Sequence, residues 1–242
     1  MLEGFFMMPA TGWFLILPGF LMALWARSKL SSTYSTYSQI GTESGITGAQ
    51  AAREILDRNG LRDVEIHPVP GELSDHYDPS RRAVFLSEGV YQSPSLAAVG
   101  VAAHEVGHAI QHQQGYGPLG LRMALVPVTG FASNAAMFLI FGGLFFGNVL
   151  GPLSSTLLWI GVGCYALITL FQIITLPVEY DASERAKEEL THLGLISPRE
   201  LPGVRQVLSA AALTYVAAML TAVLELVRLI LIARSHDDRN RG

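Results

Sequence analysis

The chain has 242 residues, of which 50% are hydrophobic and only 15% are charged, and its mean hydropathy is +0.36. This composition is too apolar for an ordinary soluble domain of this length and favours a membrane protein. The net charge of -4 excludes the basic surplus that binding to a phosphate backbone requires, so we expect no nucleic-acid partner. The single cysteine, Cys164, excludes an intramolecular disulfide.

Four apolar runs are long enough to cross a bilayer as helices. They comprise residues 5–26, 121–149, 153–178 and 210–233. The second run contains Arg122 near its start, and the fourth contains Glu225 and Arg228, which are three apart and therefore neighbours on one helix face. The sequence thus predicts about four transmembrane helices.

The flanking charges predict how these helices are oriented. Glu3 precedes the first run while Arg27 and Lys29 follow it, a pattern typical of a retained anchor rather than of a cleaved signal peptide. The second and third runs are joined by a short loop without Lys or Arg and form a predicted hairpin. The positive-inside rule places the polar segments beside the anchor and hairpin in the cytoplasm, whereas the basic tail lies outside unless the fourth run stays in the interface.

These runs divide the chain into five predicted segments. They are a transmembrane anchor (1–26), a polar segment (27–118), a transmembrane hairpin (119–178), a second polar segment (179–209), and a fourth transmembrane helix with a tail (210–242).

The first polar segment begins with a Ser/Thr/Tyr-rich stretch, residues 31–38, which we interpret as a linker. Thr47 then has the character of a helix N-cap, followed by an apolar stripe and by Gly60 as the stop signal. The stripe consists of Ala51, Ala52, Ile55 and Leu56.

Two short strands are predicted next, one around Val64 and Ile66 and one over residues 83–86, on either side of a turn-rich stretch. The second strand directly precedes a helix that begins at Ser93-Pro94 and ends near Gly115. An extended peptide pairs with an exposed sheet edge, so this strand is a candidate for peptide binding.

The predicted helix contains His104-Glu105-Val106-Gly107-His108. Residues four apart project from the same helix face, so both imidazoles can bind one zinc ion while Glu105 meets a water bound to that zinc. The metal lowers the pKa of the water and the carboxylate takes its proton, which produces a nucleophile for a peptide carbonyl. Gly107 lowers helix propensity, which indicates close approach of another backbone at this position.

A catalytic zinc has three protein ligands, so a further ligand is required from elsewhere in the chain. His112 lies two turns from His104, about 12 Å along the helix, and is better placed as a rim residue. We favour Glu179, which follows the third apolar run directly and lies at the start of a predicted charged helix. The candidates are His112, Glu179, Asp181, Glu184 and His192.

Three stretches together resemble the YugP-like neutral zinc metallopeptidases of bacterial membranes, which are similar to the gluzincins. They are residues 74–79 (SDHYDP), 102–111 (AAHEVGHAIQ) and 177–183 (PVEYDAS). The resemblance covers most of the chain from about residue 45 onward. It implies His104 and His108 as zinc ligands, Glu105 as the general base and Glu179 as the third ligand, with the protein in the bacterial cell membrane.

The chain departs from the broader gluzincin pattern at Ser183, where an Asp usually lies four residues after the ligand glutamate and orients a ligand histidine. Asp181 or Asp78 is a candidate for that role. The oxyanion of the tetrahedral intermediate also needs a hydrogen-bond donor. The residues with suitable chemistry are His76, Tyr77, Arg185 and His192.

The sequence therefore predicts an α+β, mainly helical integral membrane protein with about four transmembrane helices and a small zincin-like metallopeptidase domain. We expect one Zn²⁺ ion, a cytoplasm-facing active site close to the bilayer, and polypeptide substrates that are themselves membrane proteins, with an oligomer or a regulatory membrane partner as an open alternative. A catalytically inactive zinc-binding scaffold or chaperone subunit is the alternative function. Transport has little support, since Glu225 and Arg228 are its only hint.

Overall fold

The structure is a computed structural model that describes residues 11–241, so the first ten residues of the predicted anchor and Gly242 lie outside it. Its helices are α1 (Thr11–Ser38), α2 (Gly48–Arg58), α3 (Glu88–Tyr91), α4 (Leu96–Gln113), α5 (Gly117–Phe145), α6 (Gly147–Leu150), α7 (Pro152–His192) and α8 (Leu201–Arg241). Its strands are β1 (Glu65–Val69), β2 (His76–Asp78) and β3 (Ala83–Ser87). The described chain is thus mainly helical with one small sheet.

Four helices of the described chain are long and apolar enough to cross a membrane. They cover Phe14–Ser38, Gly117–Phe145, Pro152–His192 and Leu201–Asp238. Each corresponds to one of the four apolar runs. The fourth run is continuous with its tail, because α8 extends as one helix from Leu201 to Arg241.

The interpretation of residues 31–38 as a linker was wrong, since α1 continues through them to Ser38. The hydroxyl of Thr36 donates to the Ser32 carbonyl oxygen at 2.9 Å, and that of Ser32 donates to the Lys29 carbonyl oxygen at 3.1 Å. Hydroxyl groups that bond to the preceding helical turn remain compatible with helix, so a Ser/Thr-rich composition did not end this one.

The three strands form one sheet in the order β1-β3-β2. β3 is parallel to β1 and antiparallel to β2. The sequence predicted β1 and β3 but not the three-residue β2, which is too short to show an alternating pattern. β3 was also the wrong candidate for peptide pairing, because strands occupy both of its edges.

The chain is divided into two compact units, and the first contains residues 26–120 and 176–214. Its core combines the apolar faces of α2 and α4 with the buried strand β3. Thr47 is the N-cap of α2 and forms a capping box with Gln50, as its position before the apolar stripe predicts. All four residues of that stripe are buried, which confirms the predicted helix face.

The second unit contains residues 121–175 and 215–241 together with residues 11–25. A cluster of buried side chains joins α7 to α8 through Leu158, Val162, Leu229 and Ala233. Many large apolar side chains of this unit are exposed, among them Phe131 at 77% and Phe138 at 71%. Such exposure is typical of helices that face lipid rather than water.

Candidate metal centre

Helix α4 presents the two histidines of the motif. Ser95 is its N-cap and accepts a hydrogen bond from the amide of Ala98 at 3.2 Å. Most residues of this helix are buried, and many of them are small or β-branched, which lets neighbouring elements pack closely around it. The helix therefore lies inside the first unit rather than on its surface. His104 and His108 lie one turn apart, with ring centroids 4.8 Å from each other.

Glu179 of α7 completes a cluster with these histidines. Its Oε2 atom lies 3.2 Å from His104 Nε2 and 3.7 Å from His108 Nε2. The three ligand atoms all lie within 4.8 Å of one another. Glu179 is only 1% exposed, so the carboxylate is aimed inward at two imidazole nitrogens.

Glu179 does not begin a helix, contrary to the expectation from sequence. It lies inside the 41-residue helix α7, which continues through Pro177. A favourable interaction with a helix N-terminus therefore does not account for the position of this acidic residue. Its polar partners include the two imidazoles.

Gly107 explains how α4 comes so close to α7. A Cβ atom at Gly107 would lie 2.5 Å from the carbonyl oxygen of Ala182. The expectation that another backbone approaches at Gly107 is confirmed. Since Gly107 lies between the two histidines and Ala182 lies three residues after Glu179, this contact sets the separation of the ligand-bearing helices.

The cluster fits a zinc ion by the chemistry of its donors. Two imidazole nitrogens and one carboxylate oxygen are a known ligand set for catalytic zinc, which leaves a coordination position open. The three atoms lie within a few ångströms of each other, as ligands of one ion must. His104, His108 and Glu179 are therefore the residues that could hold it.

Glu105 is adjacent to this cluster and is only 8% exposed. Burial raises the pKa of the Glu105 carboxyl, and the nearby imidazoles of His104 and His108 offset this only in part. A buried carboxyl group with a raised pKa beside a candidate metal centre is suited to accept and release a proton.

His108 has a buried amide partner that the sequence reasoning missed. Its Nδ1 atom lies 3.0 Å from Oε1 of Gln111, which is 0% exposed. Burial works to lower the pKa of the His108 imidazole, but the hydrogen bond and charge of Glu179 outweigh it and raise the pKa. The signal in the sequence was a glutamine three residues after His108, on the same helix face.

His104 is contacted by Ser183, whose hydroxyl oxygen lies 3.1 Å from His104 Nδ1. The residue that departs from the broader gluzincin pattern thus still contacts a motif histidine. Asp181 contacts neither imidazole directly and instead accepts a hydrogen bond from Gln111 at 2.7 Å. Its carboxylate therefore reaches His108 through an intervening amide.

The structure places the remaining candidates outside the cluster. Asp78 caps a turn by accepting from the amides of Ser80 and Arg81. His76 bonds to the Ser74 carbonyl oxygen at 2.9 Å and stacks on a phenylalanine. Tyr77 does reach α4, where its hydroxyl lies 2.9 Å from Nδ1 of His112.

Two further candidate residues, both on α7, also lie outside the cluster. Glu184 pairs with Lys187 at 2.7 Å. His192 ends the helix, thirteen residues beyond Glu179 and about 20 Å along the axis.

Comparisons with known proteins show the family to which this chain belongs. A family model described as "Putative neutral zinc metallopeptidase" matches residues 12–234. The "Putative membrane protease YugP" of Bacillus subtilis (strain 168) is 47% identical over 227 residues, which is 94% of this chain and 98% of that protein. No solved structure matches the chain.

Proposed function

We propose, since the chain belongs to the neutral zinc metallopeptidase family, that it is an endopeptidase with one zinc ion held by His104, His108 and Glu179. The observation that carries this proposal is the convergence of three ligand atoms within 4.8 Å. They come from two helices, and His104 and Glu179 are 75 residues apart in the chain. A closed structural site has four ligands, whereas residues 11–241 supply three to this cluster.

A zinc ion at this position supplies Lewis acidity, which makes water more acidic and a carbonyl carbon more electrophilic. Glu105 accepts the proton of the attacking water and returns it to the amine that leaves when the peptide bond breaks. Burial of Glu105 supports this role, because a carboxyl group with a raised pKa is better matched to proton transfer near neutrality.

The edge strand β2 is the candidate for holding the scissile peptide. Its one partner among the described strands is β3, which leaves the other edge of β2 available. Tyr77 of β2 contacts His112, one turn beyond His108 on α4. A peptide added to this edge receives backbone hydrogen bonds next to the motif helix.

The substrates we propose are membrane proteins or extended segments beside the bilayer. Glu179 lies one residue beyond the apolar run 153–178 on the same helix, and the family relative from Bacillus subtilis is named as a membrane protease. The positive-inside rule supports a multi-pass protein of the bacterial cell membrane whose active site faces the cytoplasm.

The catalytic role is tested with Glu105→Gln, which keeps the shape of the side chain and removes its basicity. The variant is expected to retain zinc and to lose at least about 100-fold in peptide hydrolysis, within the range attributed to general acid–base catalysis. Glu88→Gln, an exposed residue at the first turn of α3, is the matched control and keeps full activity. A Glu105→Gln variant that hydrolyses peptides as fast as the parent would overturn the assignment.

The substrate class is tested with one cleavable segment presented in two forms. The parent protein in liposomes is given the segment tethered to a membrane helix and, separately, as a soluble fusion. Faster cleavage of the tethered form is expected. Equal or faster cleavage of the soluble form contradicts the membrane-substrate proposal, and a zinc-loaded parent that cleaves neither form favours the inactive scaffold.

A further inference from the structure

Gln111 is the most completely buried amide side chain beside the candidate metal centre, at 0% exposed. Its Nε2 atom donates to the carbonyl oxygen of Val178 at 2.8 Å and to Asp181 Oδ2 at 2.7 Å. Both protons of the amide group are thereby used. The remaining atom, Oε1, faces Nδ1 of His108 at 3.0 Å.

These partners fix which way the amide group points. A backbone carbonyl and a carboxylate oxygen are acceptors only, so the NH₂ end of Gln111 must face Val178 and Asp181. The Oε1 end then faces His108 as an acceptor, and the proton of a neutral imidazole must lie on Nδ1. This leaves the lone pair on Nε2, the atom that lies 3.7 Å from Glu179 Oε2.

Asp181 is itself held in place. Arg185 donates from Nε to Asp181 Oδ2 at 2.5 Å and from Nη1 to Gln114 Oε1 at 2.6 Å. The ion pair keeps the Asp181 carboxylate directed at Gln111. A chain of hydrogen bonds therefore extends from Arg185 through Asp181 and Gln111 to His108.

We propose that Gln111 is a positioning residue that presets the tautomer of His108 for zinc, and that Asp181 acts through it. This inference rests on the proposed zinc site. His104 differs, because the Ser183 hydroxyl at its Nδ1 atom can donate or accept and so does not dictate a tautomer. The tautomer of His108 is thus fixed by the protein before the metal binds. The residue that fixes it is an amide, Gln111, rather than a carboxylate.

The test measures zinc affinity of the full chain in detergent by competition with a chelator of known affinity. Gln111→Met keeps the length of the side chain but removes both its acceptor and its donors. Loss of such a partner typically weakens metal binding about 10–100-fold, and this is the expected result. Gln113→Met is the matched control: Gln113 is an exposed residue of the same helix that donates to the Asn59 carbonyl oxygen and not to His108, Asp181 or Arg185, and its replacement leaves zinc affinity unchanged.

A second arm separates positioning from simple packing. Asp181→Leu is expected to weaken zinc binding in the parent but to add nothing in the Gln111→Met background, since its effect passes through Gln111. The absorption spectrum of bound Co²⁺ is recorded for each variant and is expected to change with Gln111→Met. A purely structural role instead lowers the unfolding temperature of the metal-free protein and leaves affinity and spectrum unchanged.

The outcomes distinguish this inference from the function on which it rests. If the parent binds no zinc, the proposed function fails. If the parent binds zinc and both Gln111→Met and Asp181→Leu bind it equally well, the positioning role is overturned while the function stands. Should Gln111→Met fail to fold, Asp181→Leu still decides, because the side chain of Asp181 is 29% exposed and can be replaced with less disruption.

Discussion

Gly107 of α4 lies directly against the backbone of Ala182 of α7, because a Cβ atom at Gly107 would lie 2.5 Å from the Ala182 carbonyl oxygen. The two motif histidines flank Gly107, and Glu179 is one helical turn before Ala182. A single close approach of two backbones therefore governs how near the candidate ligands come to one another.

Gly107→Ala is accordingly expected to push α4 and α7 apart. The added methyl group meets backbone atoms, which cannot move aside as a flexible side chain can, and overpacking of this kind costs about 1–3 kcal/mol. We expect a lower unfolding temperature and reduced zinc content. Both are measured on protein purified in detergent.

Gly120→Ala is the control for this prediction. Gly120 is also inside a helix, but nothing lies within 4 Å of a Cβ placed there. Since alanine is favoured over glycine in a helix by roughly 0.5–1 kcal/mol, this variant is expected to be at least as stable as the parent. Equal behaviour of the two variants would refute the close-approach account.

Much of the candidate site could be predicted from the sequence, because its pieces carry local signals. Helix geometry alone predicts that His104 and His108, four residues apart, lie on the same helix face. Glu179 was favoured as the third ligand because it directly follows an apolar run. The start of α4 was predicted at Ser93-Pro94, whereas the helix begins at Leu96 with Ser95 as its N-cap.

The features of the fold and site that could not be predicted depend on tertiary contacts, which no local sequence pattern encodes. β2 is three residues long and exists through its pairing with β3. The role of Gln111 follows from acceptors on α7, which lie 67 and 70 residues away in the chain. The predicted segment boundaries remain a prediction.

Glu200 provides a pH-dependent contribution to stability. Burial works to raise the pKa of its carboxyl, but hydrogen bonds from the amides of Ser197 and Glu43, each 2.7 Å long, outweigh it and lower the pKa. A carboxyl group whose pKa is lower in the folded state stabilises the fold above its unfolded pKa. That contribution is lost as the pH falls through the folded pKa.

Glu200→Gln is therefore expected to destabilise the protein at pH 7 by about 1.5–3 kcal/mol, the scale of hydrogen bonds to a charged group. The difference in stability from the parent should shrink as the pH is lowered below the usual pKa range of a glutamate carboxyl group. The unfolding temperatures of both proteins are measured across this pH range. Glu54→Gln is the control, because Glu54 forms an exposed ion pair with Arg58 whose loss has a small effect on stability. A gap that is constant with pH would contradict the assignment.

The Glu225–Arg228 pair lies within the apolar part of α8, with side chains only 20% and 13% exposed. Replacing Arg228 by Leu removes this cation from a carboxylate that is mostly shielded from solvent and is expected to cost up to about 3 kcal/mol. The double variant with Glu225→Leu should be more stable than the single one, since it removes the carboxylate together with its cation. The unfolding temperatures of the single and double variants are compared in detergent. Arg234→Leu, which replaces an exposed arginine of the same helix, is the control.

The zinc content of purified Glu179→Ala tests the central claim most directly, because it tests the class of protein and the third ligand together. Glu184→Ala removes an exposed carboxylate from the same helix and is the matched control. The account predicts close to one zinc per chain in the parent and in Glu184→Ala, and loss of zinc in Glu179→Ala. Full zinc content with unchanged affinity in Glu179→Ala would contradict it.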